Sequence, residues 1–139
     1  MPAHGWSASV VVAIAFAAVL AGCGGGTDTE KAGNAVESYL AAIAQGEGTT
    51  ACDLLSPTAQ REAVTAARGA GVTATTCEQA VKAMSARLET RDRSLLRLAT
   101  ISDVTIDGDT AEARVEGGDA VTLEKSGDAW KISKLPASF

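Results

Sequence analysis

The sequence predicts an α+β domain in which helices from the first part of the chain cover one face of an antiparallel sheet from the last part. Two observations lead to this fold class. Apolar residues recur at helical spacing up to about residue 88, and from residue 101 onward they alternate with polar residues, as in strands with one buried face. Gly-Asp and Asp-Gly turns separate the alternating segments.

The first helix is expected to begin after Thr27 and to end near Gln45. Thr27 and Glu30 have the spacing of a capping box, which satisfies free backbone groups at a helix start. Gly46 and Gly48 should end the helix. Five apolar side chains share its predicted buried face: Ala32, Val36, Tyr39, Leu40 and Ile43.

Two further helices and a short helical turn should follow. The turn is expected at residues 51–55, and Ser56-Pro57 is typical of the start of a helix that would end near Arg68, before Gly69 and Gly71. Thr76 and Gln79 repeat the capping-box spacing and should open the next helix. Its apolar face would comprise Ala80, Val81, Met84 and Leu88. The charged, leucine-rich residues 89–98 predict no particular structure.

Four strands are expected after residue 100. The first is Ile101–Ile106, followed by the hairpin signal at residues 107–109. Turns at residues 117–119 and 126–128 separate the other three strands, and the last should end near Leu135-Pro136. The inward positions of these three strands would be Ala111, Ala113, Val115, Val121, Leu123, Trp130 and Ile132.

The first 22 residues resemble the signal peptide of a bacterial lipoprotein. Residues 10–21 form an apolar run of 12, too short to span a bilayer and of the usual length for a signal peptide. The run ends in Leu20-Ala21-Gly22-Cys23, which is similar to a lipobox at all four positions. The resemblance implies that the thiol of Cys23 receives a diacylglyceryl group and that a peptidase cuts just before it. Two acyl chains anchor a protein firmly.

The chain is therefore expected to consist of three parts. Residues 1–22 are the signal peptide, residues 23–28 the lipidated cysteine with a glycine-rich tether, and residues 29–136 one α+β domain. The membrane would be its first partner, through the lipid anchor. The domain would lie in the cell envelope, on the outer face of the cytoplasmic membrane.

The exported part is acidic. Every Lys, Arg, Asp and Glu follows Cys23, so the formal net charge of −5 belongs to that part. An acidic protein is not expected to bind nucleic acid or anionic lipid headgroups through a basic patch, and solubility is the simplest role for these charges. With 46% apolar but 4% aromatic residues, the core should consist of Ala, Val, Leu and Ile.

Cys52 and Cys77 remain once Cys23 is lipidated. Export favours their oxidation, and a disulfide would fasten two helices together. Two alternatives stay open: a pair of free thiols, or a redox or metal site. The second is disfavoured because the sequence has no Cys-x-x-Cys motif and its only histidine, His4, lies in the signal peptide. No cofactor or metal is expected.

Four stretches together resemble a family of small exported domains with a nuclear-transport-factor-2-like fold, frequent in actinobacterial lipoproteins. They are residues 36–46, residues 51–60, Cys77 at the head of a helix, and residues 127–135 around Trp130. The resemblance covers about residues 29–136. It implies a curved sheet wrapped on a long helix as a cone with an open mouth, a paired Cys52 and Cys77, and no fixed activity. The short chain implies a shallow cone.

Three functions fit such a domain. The first is a non-catalytic module that binds a small apolar ligand in the cone, lined by Tyr39, Met84 and Trp130, although all three are explained more simply as core residues. The second is an interaction or scaffold domain for another envelope protein. It would use the exposed sheet face that carries Thr110, Glu112, Arg114 and Glu116.

The third function is an enzyme, and it is the least expected. Isomerases and dehydratases of this fold use a buried Asp or His for proton transfer. The exported part has no His, and Asp103 is its only acid set among apolar strand residues, where it is equally well explained as an edge or bulge residue. No catalytic residue is assigned.

Overall fold

The helices come first and the strands last, as the hydrophobic periodicity predicts. A computed structural model describes residues 26–135, and in this part of the chain five helices precede a four-stranded sheet. The α+β class is thereby confirmed. The elements are α1 Asp28–Gln45, α2 Gly48–Asp53, α3 Pro57–Gly69, α4 Cys77–Ala86, α5 Thr90–Leu98, β1 Ile101–Asp107, β2 Thr110–Val115, β3 Ala120–Ser126 and β4 Ala129–Lys134.

The start of α1 has the predicted capping box. The Thr27 hydroxyl accepts a 3.2 Å hydrogen bond from the N–H of Glu30, and the Glu30 carboxylate accepts a 2.8 Å bond from the N–H of Thr27. The helix ends at Gly46, whose φ of 73° is a left-handed conformation that glycine adopts without strain. Thr27 and Asp28, the last two residues of the predicted tether, are therefore the N-cap and first residue of α1.

The expectation that Gly48 helps to end the first helix is wrong. Gly48 is the first residue of α2, which runs to Asp53 instead of covering residues 51–55. A Cβ atom at Gly48 would lie only 2.8 Å from the backbone oxygen of Glu78 in α4. The residue is a glycine because the two helices approach each other closely at this point.

The capping box predicted at the start of α4 forms only in part. The Thr76 hydroxyl accepts a hydrogen bond from the N–H of Gln79 (3.3 Å), as predicted. The Gln79 side-chain oxygen, however, accepts from the N–H and the hydroxyl of Thr75, both at 3.0 Å. The Gln79 side chain thus binds Thr75, the residue before the N-cap Thr76.

The sheet is an antiparallel meander in the order β1-β2-β3-β4. The glycines in its three turns, Gly108, Gly117 and Gly127, have φ of 59°, 71° and 62°. The predicted alternation is confirmed in the three strands after β1. The inward side chains are buried against the helices: Ala111, Ala113, Val115, Val121, Leu123, Trp130 and Ile132.

Two apolar clusters form the interior. The larger lies between α1 and the sheet and contains Leu40, Leu55, Leu123 and Ile132, each at most 2% exposed. The smaller joins α3 to α4 through Ala67, Ala74 and Ala80. Because both clusters draw on residues 32–135, this segment has a hydrophobic core of its own. None of the helices in residues 26–135 has the length and hydropathy needed to cross a bilayer.

Candidate functional site

The three residues predicted to line an apolar pocket do not lie together. Tyr39 and Trp130 are 7% and 3% exposed and belong to the larger core cluster. Met84 is half-buried against the smaller cluster. Burial raises the pKa of Tyr39 to about 12, as expected for a phenol surrounded by apolar groups. These positions agree with the simpler interpretation of all three as core residues.

Trp130 connects the sheet to the first turn of α1. Its indole N–H donates to Oδ1 of Asp28 (3.3 Å), while the Lys125 ammonium donates to Oδ2 of the same carboxylate (2.8 Å) and lies 5.7 Å from the centre of the indole ring. The hydrogen bond from Lys125 is the main reason why the pKa of Asp28 is lowered, and the bond from Trp130 adds to it. The carboxylate thus fixes the start of α1 on the β3–β4 hairpin.

Cys52 and Cys77 form the predicted disulfide, with their Cα atoms 6.0 Å apart. The bond joins α2 to the first residue of α4 and closes a segment of 25 residues. Both cysteines are buried. The disulfide therefore links two helices. With this bond formed, Cys52 and Cys77 are neither free thiols nor metal ligands.

An open groove of about 370 Å³ runs between α1 and β1. Gly33 forms part of its floor, and a Cβ atom there would make an ordinary van der Waals contact with Val104 Cγ2 at 3.6 Å. The N–H of Ile101 donates to Oε1 of Glu37 across the groove (3.3 Å). The lining residues are Thr29, Glu30, Gly33, Asn34, Glu37, Ile101, Ser102, Asp103 and Val104. Sequence reasoning missed this site, because its residues come from α1 and β1 and no local pattern joins them.

The two edges of the sheet differ. The β4 edge is covered by the chain before α3, because Ser56 N–H donates to the Ile132 oxygen and Ile132 N–H donates to the Leu54 oxygen, both at 2.8 Å. Within residues 26–135, β1 has a strand neighbour on one side only. The groove therefore lies beside an open strand edge, which is the type of surface that accepts an added strand.

The outer face of the sheet carries the predicted polar row. Thr110, Glu112 and Arg114 are exposed, and the two charged side chains pair at 3.4 Å. Glu116 follows β2 and accepts a 2.7 Å hydrogen bond from the Thr100 hydroxyl. A shallow depression of about 320 Å³ lies on this face, bordered by Thr105, Asp107, Thr110, Ala111, Glu112 and Thr122.

Asp103 is exposed on β1 and lines the α1–β1 groove. The carboxyl group of Asp103 is therefore not buried, whereas the enzyme hypothesis expects a buried acid. Within residues 26–135, no three or more His, Cys, Asp or Glu side chains are placed to hold a metal ion.

The predicted lipidation site, Cys23, and the cleavage motif Leu20, Ala21 and Gly22 lie outside the described residues. No protein-family model, curated protein or solved structure matches this chain.

Proposed function

We propose that this chain is an exported lipoprotein, anchored through Cys23, whose domain is a non-catalytic module that binds an extended segment of another envelope protein in the α1–β1 groove. The anchoring is supported by the apolar run and lipobox that end four residues before Thr27, the N-cap of α1. The Cys52–Cys77 disulfide supports export, because such bonds persist in oxidising compartments.

The binding part of the proposal is carried by one observation: β1 is an edge strand with an open groove beside it. A partner strand added to β1 would gain backbone hydrogen bonds, and its alternate side chains would enter the groove. A peptide-binding surface fits this structure better than an apolar ligand pocket. The residues predicted to line such a pocket pack instead in two separate core clusters, Tyr39 and Trp130 in the larger and Met84 against the smaller.

The anchor is tested by Cys23→Ser. We expect wild-type protein to incorporate labelled palmitate and to fractionate with membranes, and the variant to do neither. Normal cleavage and membrane fractionation of the variant would disprove the lipoprotein assignment.

The groove is tested in the envelope of the native host with a photo-crosslinking residue at Asn34, which is exposed and lines it. The matched control places the same residue at Glu62, exposed on α3. We expect a discrete crosslinked protein at Asn34 only, lost when Gly33→Leu fills the groove. Equal crosslinking at both positions, or an apolar adduct on the exported domain in native mass spectrometry, would contradict the peptide-binding proposal.

We also propose a relationship to the nuclear-transport-factor-2-like domains. It is supported by the order of helices before strands and by the packing of the sheet on the long helix α1. Four strands of six or seven residues suit a shallow form of the cone. An experimental structure with a flat sheet would contradict this relationship.

A further inference from the structure

Helix α5 has an apolar face that the rest of residues 26–135 leaves exposed. The large exposed apolar side chains of this part of the chain are Leu95 and Leu98, at 58% and 76% exposure. By helical spacing they share one side with Arg91 and Ser94, opposite Arg93 and Leu96. Exposed leucines beside an arginine are typical of helices that lie on a membrane surface.

The helix is held firmly, so this exposure is a property of the fold. The Arg93 guanidinium donates to the backbone oxygens of Ala44 (3.2 Å), Ser85 (2.7 Å) and Leu88 (3.3 Å). Ala44 and Ser85 lie in the last turns of α1 and α4, where backbone oxygens lack intrahelical donors, and Leu88 lies between α4 and α5. Leu96 packs against the larger core cluster. The outward side of α5 is thus presented in a fixed orientation.

The charges of the protein are unevenly placed. Residues 82–98 contain five of the 12 basic residues of the chain but only two of its 17 acidic ones. The rest of the chain carries the excess of negative charge. The net charge of −5 therefore does not describe this segment, whose excess of positive charge is complementary to anionic headgroups. The guanidinium of Arg93 points inward to backbone oxygens, so the exposed charges of the segment are those of the basic residues Lys82, Arg87, Arg91 and Arg97 and of the acids Glu89 and Asp92.

We propose that the outward face of α5, formed by Arg91, Ser94, Leu95 and Leu98, rests on the anionic phospholipid surface to which Cys23 anchors the chain. This inference rests on the proposed lipoprotein function. The leucines enter the headgroup boundary. Arg91 on this face and the exposed Arg97 at its margin pair with lipid phosphates while their aliphatic stems lie along the apolar surface.

The length of the tether is consistent with this contact. Cys23 lies five residues before Asp28, so the chain between them reaches at most about 17 Å. α5 runs beside the second half of α1, since Arg93 bonds to Ala44 and Ile101, just after α5, bonds to Glu37. Glu37 is nine residues beyond Asp28, or about 14 Å along the helix. With α1 parallel to the membrane, the anchor and Leu98 can reach the same plane.

The face is tested without the anchor, on the exported chain of residues 23–139 carrying Cys23→Ser. Flotation with phosphatidylglycerol–phosphatidylcholine vesicles measures its partition coefficient. We expect binding that increases with the phosphatidylglycerol fraction and falls about fivefold for each arginine removed in Arg91→Gln and Arg97→Gln. The matched control removes two positive charges elsewhere, with Arg61→Gln and Lys134→Gln, and should bind like the parent. Leu95→Ser with Leu98→Ser should abolish binding while thermal unfolding shows that the fold is kept.

The orientation is tested with the anchor restored chemically. The free thiol of Cys23 is coupled to a maleimide lipid in vesicles with brominated acyl chains, and a tryptophan probe is introduced by Ser94→Trp on α5 or by Glu62→Trp on α3. We expect the brominated lipids to quench the added tryptophan fluorescence several times more strongly in Ser94→Trp than in Glu62→Trp. Equal quenching of the two probes overturns the proposal, as does a dimer that depends on Leu95 and Leu98 and shows no lipid binding. Because the anchor is supplied by synthesis, these results do not depend on whether cells lipidate Cys23.

Discussion

Asp28 and Trp130 are 102 residues apart in sequence, yet the indole N–H of Trp130 donates to the Asp28 carboxylate across 3.3 Å. The same carboxylate accepts from Lys125, so the first turn of α1 is tied to two strands at once. An acidic residue in the first turn also interacts favourably with the helix dipole. This contact determines where the long helix begins on the sheet.

We expect Asp28→Asn to destabilise the domain, because an amide cannot replace both charge-assisted contacts. Trp130 is the only tryptophan after Cys23, so its fluorescence reports on this contact directly. The variant should show a red-shifted emission and a melting temperature lower by several degrees. Glu62→Gln, which removes an exposed carboxylate from α3, is the control and should resemble the wild type.

The contribution of Asp28 should depend on pH in the acid range. Its pKa in the folded protein is lowered below the ordinary value of 3.8, so unfolding takes up a proton at pH values between the two. The contribution is complete above the unfolded pKa and is lost as the pH falls through the folded one. Urea unfolding from pH 6 to pH 2 should show a smaller loss of stability for Asp28→Asn than for the wild type. Parallel curves would mean that Asp28 makes no titratable contribution.

Tyr39 should titrate at unusually high pH. It is the only tyrosine of the chain, so the absorbance of tyrosinate reports on it alone. We expect a pKa of about 12 in the folded protein, against about 10 after denaturation. Because the folded pKa is the higher, the domain should lose stability as the pH rises above the unfolded value. A midpoint near the denatured value in the folded protein would show that Tyr39 lines a solvated pocket.

The disulfide should make a large contribution to stability. Closing a loop of this size lowers the entropy of the unfolded chain, which corresponds to about 3 kcal/mol in the chain-entropy model. Cys52→Ala with Cys77→Ala should lower the free energy of unfolding in urea by that order. Mass spectrometry of the exported protein should show a mass two hydrogens below that of the dithiol form. Modification of both residues by a thiol reagent before reduction would refute the disulfide.

Gly48→Ala should lower the free energy of unfolding, whereas Gly69→Ala should raise it slightly. The added methyl group at Gly48 would meet the Glu78 backbone, which cannot move aside as a flexible side chain can. We expect Gly48→Ala to lower the free energy of unfolding by about 1–3 kcal/mol. At Gly69, the last residue of α3, nothing lies within 4 Å, and alanine should add about 0.5 kcal/mol through its higher helix propensity. Equal effects in urea unfolding would show that α2 and α4 are not in close contact.

Arg93→Met should release α5 from the ends of α1 and α4. Loss of three hydrogen bonds to backbone oxygens should cost about 2 kcal/mol. Arg91→Met removes the same charge from an exposed position and should change stability by less than about 0.5 kcal/mol. Hydrogen exchange should show α5 opening in the first variant only. Similar protection of α5 in both variants would exclude the proposed role of Arg93.

Local chemistry made much of the fold predictable. The capping box at Thr27, the proline after Ser56 and the glycine turns are signals read within a few residues, and alternation along β2, β3 and β4 identifies their buried faces. α5 was not predicted because its leucines lie on both sides. Leu96 faces the core and Leu95 faces outward, so no single apolar stripe marks the helix.

The sequence by itself determined the class of the domain, the order of its elements and the pairing candidates Cys52 and Cys77, because these depend on periodicity, turns and residue types. Only the tertiary structure decided that Gly48 permits a close helix contact, that Asp28 meets Trp130, and that a groove opens between α1 and β1. These features join residues that are distant in sequence. Packing brings them together, and no local pattern records which partner each residue will meet.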